Sequence, residues 1–322
     1  MTRPAANLDE IRRLLPELPG PDLEAGSEAA RRVADRGEKL GRLAEIAAWL
    51  ATWQASYPPR VAHPRTALFA ARHGVESRLE ADPGETAARV ARCIAGDAAV
   101  NRVCSSIDAD LRVYEMALEH PTADFTEGPA MGDEECARAA AYGMMAVEPG
   151  VDLLVLGDIG GGSTAAATSL AALLFGGAAS DWLGPAAEPG LVEAVAAAIA
   201  RHRGAGDPFE MLRRVGGPDL AAIAGAVMAA RLARVPVVLD GLAATAAAAV
   251  VFAADRRALD HCLAAQLSSA PGHARLLKIL GAKPLLDLEL PTGEGVAGTL
   301  AVTVLRAAIV CNDGAGATAM SR

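Results

Sequence analysis

The chain has 322 residues, a net charge of −9, 52% hydrophobic residues and only 3% aromatic ones. That length supports a large core and one or two domains, and the negative charge argues against nucleic acid as a partner, since such binding rests on neutralising phosphates. No run reaches the roughly 18 uncharged apolar residues of a membrane span, and the N-terminus lacks an apolar signal core, so a soluble cytoplasmic protein without a membrane partner is expected. Five cysteines (Cys93, Cys104, Cys136, Cys262, Cys311) are scattered without a CxxC, which fits free thiols rather than disulfides or zinc.

Helices are expected over residues 7–16 and 27–55, where Leu40, Leu43, Ile46, Ala47 and Leu50 recur at helical spacing. Pro58-Pro59 ends this region. Apolar runs at 67–71, 111–118, 153–156, 235–239 and 285–288 read as buried strands with helical stretches between them. Such alternation predicts a parallel sheet covered on both faces. Gly216-Gly217-Pro218 introduces an alanine-rich helix over 219–233, whose small side chains permit close packing. The predicted class is α/β, a Rossmann-like sheet with a smaller helical lobe. The predicted division is 1–60 for the N-terminal helical segment, 61–290 for the α/β domain and 291–322 for the helix that closes the lobe.

Ligands of such sheets sit beyond the carboxyl ends of the strands. His73-Gly74 follows the first strand, Asp158 and its glycines the third, Asp240-Gly241 the fourth. Gly293-Glu294-Gly295 follows the fifth after a short loop. Residues 157–164 (GDIGGGST) form the most informative stretch. An apolar run there meets a glycine-rich loop and a helix start, where successive N–H groups and the helix dipole can hold a phosphate. No Lys precedes Ser163, so this is not a Walker A loop. A clean G-x-G-x-x-G is also missing, and the first strand ends in Ala71-Arg72-His73-Gly74, which argues against a nicotinamide-dependent oxidoreductase.

Glu294 stands between two glycines before an apolar helix. It is either a general base or a solvated helix-start acid; a helix N-terminus lowers a carboxyl pKa and apolar enclosure raises it. Asp158 reads as an auxiliary acid or base, a ribose ligand or a loop-stabilising residue. The Ser268–His273 turn caps a helix, holds a phosphate, or does both. His73 is a structural hydrogen-bonding residue or a ligand contact. The histidines form no metal-ligand spacing, and no G-x-S-x-G nucleophile elbow is present. Trp49, Trp53 and Tyr57 fit core or dimer packing.

A collinear set of segments then resembles the nicotinate-nucleotide:dimethylbenzimidazole phosphoribosyltransferase family of the cobalamin pathway, over nearly the whole chain. The set comprises 15–23 (LPELPGPDL), 41–47 (GRLAEIA), 69–75 (FAARHGV), 117–122 (ALEHPT), 157–164, 181–185 (DWLGP) and 213–217 (RRVGG). It continues through 224–226, 235–241 (VPVVLDG), 258–262 (ALDHC), 271–273 (PGH) and 293–295 (GEG). The resemblance implies transfer of phosphoribose from nicotinate mononucleotide to a benzimidazole, giving an α-ribazole phosphate and nicotinate. It puts Glu294 at the general-base position and Asp158 where the family usually has Glu. It assigns substrate binding to His73, Gly160, Gly161, Gly162, Ser163, Thr164, Asp240, Ser268, Gly272, His273 and Gly293. No metal or cofactor is implied, and the family is typically homodimeric.

The chain departs from the family pattern at several points. Arg72 replaces Asp or Asn, the segment 76–86 is altered, and Ala87-Ala88 falls where a base-contacting Gln is usual. Leu191 falls near an expected phosphate-contacting Lys. Ala270 replaces Glu, and Pro291-Thr292 replaces Arg-Leu. Three expectations follow: the usual reaction, transfer to another aromatic acceptor, or an inactive nucleotide-binding homologue.

Overall fold

The computed structural model describes residues 7–79, 82 and 84–313. Residues 80, 81 and 83 of the altered segment, and the chain ends at 1–6 and 314–322, lie outside the described residues. Five strands form one parallel sheet: β1 (Pro64–Arg72), β2 (Asp110–Glu115), β3 (Leu153–Gly161), β4 (Val237–Leu239) and β5 (Cys262–Ala264), in the order β2-β1-β3-β4-β5. β6 (Gln266–Leu267) and β7 (Leu286–Asp287) form a separate parallel pair.

β1 and β3 lie at the centre, and Leu153–Ile159 are buried on both faces. Alternate side chains point to opposite layers. Leu154 and Leu156 join the cluster built from the alanine-rich helices. Leu153 and Val155 join Ile46, Leu50, Ala301 and Leu305 from the helices Arg42–Gln54 and Val296–Asp313. Elements from the two chain ends thus cover the same sheet face. Asn312 ties them by donating to the Ala29 carbonyl at 2.8 Å. Val296–Asp313 is the one described helix long and apolar enough to cross a membrane. Its Ala297, Ala301, Val302, Leu305 and Ala308 are buried in this cluster, and its Arg306 donates to the Val61 carbonyl.

Small residues set the closest helix contact. A Cβ on Gly143 would lie 1.8 Å from the Ala222 carbonyl oxygen, and one on Gly225 would lie 2.0 Å from that of Ala140. The helices Asp133–Met144 and Pro218–Leu232 therefore meet backbone to backbone, as the alanine-rich sequence predicts.

Three expectations change. The fifth strand of the main sheet is Cys262–Ala264; the 285–288 run supplies only β7. The helix expected over 27–55 is two helices, Leu23–Asp35 and Arg42–Gln54, separated around Gly37 and Gly41, both at positive φ. The helix expected over 7–16 stops at Arg12, and a 3-10 turn over Leu15–Glu17 follows, with Pro16 inside it.

Candidate active site

β3 runs further than its glycines suggest. Leu68, Phe69, Ala70, Ala71 and Arg72 of β1 pair in register with Gly157, Asp158, Ile159, Gly160 and Gly161. The expected loop is therefore mostly strand. Only Gly162, at φ +84, makes the turn into the helix Ser163–Phe175. There a left-handed φ suits Gly.

Beyond the carboxyl ends of β3 and β4 lies a small cavity of about 120 Å³. Three helix starts converge on it. Ser163 and Thr164 open one helix, Leu242 and Ala243 belong to the first turn of Gly241–Ala254, and Ala270 immediately precedes Pro271–Leu280. Unpaired N–H groups and the helix dipoles make such ends attractive to an anion. Asp158, Gly160, Ser268, Pro291, Thr292, Gly293 and Arg89 complete the wall.

Asp158 is buried, and its pKa is pushed up to about 7. Desolvation is the main cause and Asp219 adds to it; a hydrogen bond from Ser163 and the charges of Arg89 and His73 pull the other way. The carboxyl is thus poised near neutrality.

Glu294 rides on a tightly docked turn. The Asp158 N–H donates to the Gly293 carbonyl at 3.1 Å. A Cβ on Gly293 would lie 2.4 Å from the Asp240 carbonyl oxygen, so only Gly fits there. The Glu294 side chain is 23% exposed and ion-paired to Arg89. Arg89 comes from the helix Glu85–Ile94 and lines the cavity itself, so it joins Glu294 to the site.

Several expected ligand contacts stand behind this wall rather than in it. His73 is fully buried, with Nε2 3.1 Å from Asp219 Oδ2 and Nδ1 without a partner among the described residues. Burial disfavours its charged form, but Asp219, with Asp158 and Glu76, outweighs this and raises its pKa. Asp240 is also fully buried. Its Oδ2 accepts the Gly298 N–H at 3.0 Å, so it holds the first turn of Val296–Asp313. Desolvation pushes its pKa up to about 7 against the backbone N–H groups of Gly298, Ala297 and Gly295. Gly272 and His273 are buried in the first turn of the helix Pro271–Leu280, just after Ser268. Gly161 donates its N–H to Thr86 at 2.9 Å, and Gly162 packs against His73 and Val75.

Sequence reading missed Arg89 and Asp219. Arg89 looks like a solvated cation on an amphipathic helix. Asp219 looks like an ordinary first-turn acid, and 146 positions separate it from His73. Among the departures, Ala270, Pro291 and Thr292 line the cavity, Arg72 pairs with Glu76 at 3.0 Å, and Leu191 packs against the core. Trp53 is buried beneath the Arg231 guanidinium, 3.9 Å from its ring centre. Trp49 instead lines a larger, mainly apolar cavity of about 380 Å³ near β5. Among the described residues no His, Cys, Asp and Glu side chains are grouped to hold a metal ion.

A parallel sheet with acids and helix N-termini gathered beyond its carboxyl ends defines a nucleotide-handling α/β enzyme. Residues 18–319 match the phosphoribosyltransferase family. The nicotinate-nucleotide–dimethylbenzimidazole phosphoribosyltransferase of Brucella anthropi is 43% identical over 318 residues, covering 95% of this chain and 94% of its own. That of Brucella melitensis biotype 2 is 44% identical over the same span. The crystal structure of the enzyme of that name from Thermus thermophilus superposes with a TM-score of 0.84 at 34% identity, covering 90% of this chain and 96% of the other. The chain belongs to this phosphoribosyltransferase family and is a pentosyltransferase.

Proposed function

We propose that the protein transfers phosphoribose from nicotinate mononucleotide to 5,6-dimethylbenzimidazole, giving α-ribazole 5′-phosphate and nicotinate for cobalamin synthesis. The observation that carries the reading is the convergence of three helix starts, Arg89 and the Asp158 carboxyl on one cavity, with Glu294 joined to it through Arg89. The helix starts and the Thr164 hydroxyl suit the donor phosphate. Gly160 leaves room for the backbone to approach it.

The chemistry needs little acid catalysis. One benzimidazole nitrogen attacks ribose C1 with its lone pair. The C1–N bond to the pyridinium breaks, and its electron pair returns to the ring, so nicotinate leaves with a neutral ring nitrogen. The other benzimidazole nitrogen loses its proton to Glu294, the general base in this reading. Removing that proton is worth about 10²–10⁴ in rate. Asp158 faces the developing positive charge on the ribose. A cationic donor beside it favours its ionised form, which offsets that charge. Arg89 must give up or share Glu294 as the acceptor enters.

Purified protein mixed with nicotinate mononucleotide and a panel of benzimidazoles, purines and phenols tests the reading. Mass spectrometry follows nicotinate release and riboside-phosphate formation. Product from 5,6-dimethylbenzimidazole that disappears in Glu294→Gln is expected. Full transfer by Glu294→Gln contradicts the base assignment, and preference for another ring contradicts the acceptor. The family resemblance further supports a cytoplasmic homodimer, which light scattering on the purified chain checks.

A further inference from the structure

Beneath the cavity runs a buried chain of three side chains whose hydrogen-bond directions are fixed. The Thr245 hydroxyl donates its single proton to the Gly241 carbonyl at 2.7 Å. It can therefore only accept from His273 Nε2, 3.1 Å away, so Nε2 carries a proton. At the other end of the ring, the Ser268 backbone N–H donates to His273 Nδ1 at 3.3 Å. A backbone N–H never accepts, so Nδ1 bears no proton. The two ends give the same tautomer independently. His273 is fully buried, and burial lowers its pKa to about 4, which keeps the ring neutral.

Ser268 Oγ lies 2.8 Å from that same unprotonated Nδ1. Its hydroxyl proton therefore points into the protein, toward His273. Only oxygen lone pairs remain for the cavity that Ser268 lines. Ser268 meets the ligand as an acceptor.

We infer that Ser268 accepts a hydrogen bond from a ribose hydroxyl of the donor nucleotide, and that His273 is the positioning residue that enforces this polarity. The inference rests on the donor assigned above. Nicotinate mononucleotide offers three kinds of polar group. Its phosphate and its carboxylate are acceptors at neutral pH, and a serine oxygen with its proton turned away repels both. Only the ribose hydroxyls can donate. The remaining donor in the reaction, the benzimidazole N–H, is taken by Glu294.

Calorimetry with the donor alone tests this, because it needs no turnover. The full chain is titrated with nicotinate mononucleotide and its 2′-deoxy and 3′-deoxy analogues. For wild type, removing one of the two hydroxyls weakens binding about tenfold, since the acceptor built for it is left unpaired. Ser268→Ala binds the ribo donor about tenfold more weakly and no longer distinguishes it from that deoxy analogue. His273→Phe, with Ser268 intact, also loses the discrimination, because the freed hydroxyl can turn to the cavity as a donor. Thr245→Val, which removes the group that fixes the ring's tautomer, lowers the ratio and serves if His273→Phe does not fold. An unchanged ribo-to-deoxy ratio in Ser268→Ala overturns the inference while leaving the donor assignment intact. So does a loss in Ser268→Ala that depends on the donor phosphate instead, read with nicotinate riboside. If wild type binds none of the nucleotides, the donor assignment fails and the inference falls with it.

Discussion

The two ends of the central sheet both bury charge, and they treat it in opposite ways. At the amino end of the strands, Arg65 is buried but fully partnered. Its guanidinium meets Asp110 at 2.8 Å, Glu148 at 3.0 Å and the Ala146 carbonyl at 3.2 Å. Desolvation opposes the ionised Asp110, yet Arg112 and Arg65 outweigh it and hold its carboxyl below the usual range; Arg65 lowers Glu148 as well. At the carboxyl end, Asp158 and Asp240 are just as deeply placed and lack an ion-pair partner among the described residues, so desolvation pushes both up to about 7. One end uses its charges to hold the fold. The other leaves Asp158 without an ion pair at the cavity where a cationic nucleotide would sit, with Asp240 unpaired behind it, the pattern of a site that gives up stability for chemistry.

Substitutions at the two ends should separate these roles. Glu294→Gln is expected to cost the most, about a hundredfold or more in kcat for phosphoribosyl transfer, with an unchanged melting temperature. Arg65→Met should do the reverse. It removes the cation of Glu148, leaves Asp110 with Arg112 alone, and should cost about 2 kcal/mol in urea unfolding, with kcat unaltered. A large fall in kcat there would blur the contrast.

Asp158→Asn should combine a gain with a loss. Asp158 binds its proton more tightly in the folded protein than in the unfolded chain, where its pKa is near 3.8. Its contribution to stability is therefore full below about pH 4 and is lost as pH rises toward 7. The Asn variant should melt several degrees higher than wild type at pH 8, and the gap should close near pH 4, while transfer slows. Equal melting curves at pH 8 would mean that Asp158 carries no such strain. The smallest effect is expected from Asp110→Asn, under about 1 kcal/mol at pH 7, because its carboxylate is half solvated.

Much of this layout is legible in the sequence, and the gaps have physical reasons. The apolar runs of β1, β3 and β4 stand out because parallel central strands are buried on both faces; β2, a part-buried edge strand, is legible through Leu111 and Val113. β5 does not, because three residues, Cys262–Ala264, leave no periodicity to read. The 285–288 run is more apolar but pairs with Gln266–Leu267 outside the main sheet. The glycines of β3 suggest a loop on composition alone, and only register with β1 shows them extended. At the site, Glu294 and Asp158 are visible through their glycine neighbours and their position after strands. Arg89 and Thr245 are not, because each looks ordinary on its own helix. The tautomer of His273, and with it the polarity of Ser268, depends on partners 28 and 5 positions away.

The contrast between the two sheet ends is most directly measured by titrating the aspartate carboxyls with ¹³C NMR on wild-type protein, using Asp158→Asn and Asp110→Asn to assign the signals. Asp158 should titrate near pH 7 and fall when nicotinate mononucleotide is added, while Asp110 stays below the ordinary carboxylate range and ignores the nucleotide. An Asp158 that titrates at an ordinary value and does not respond to the nucleotide would contradict the assignment of the carboxyl end as the reactive one.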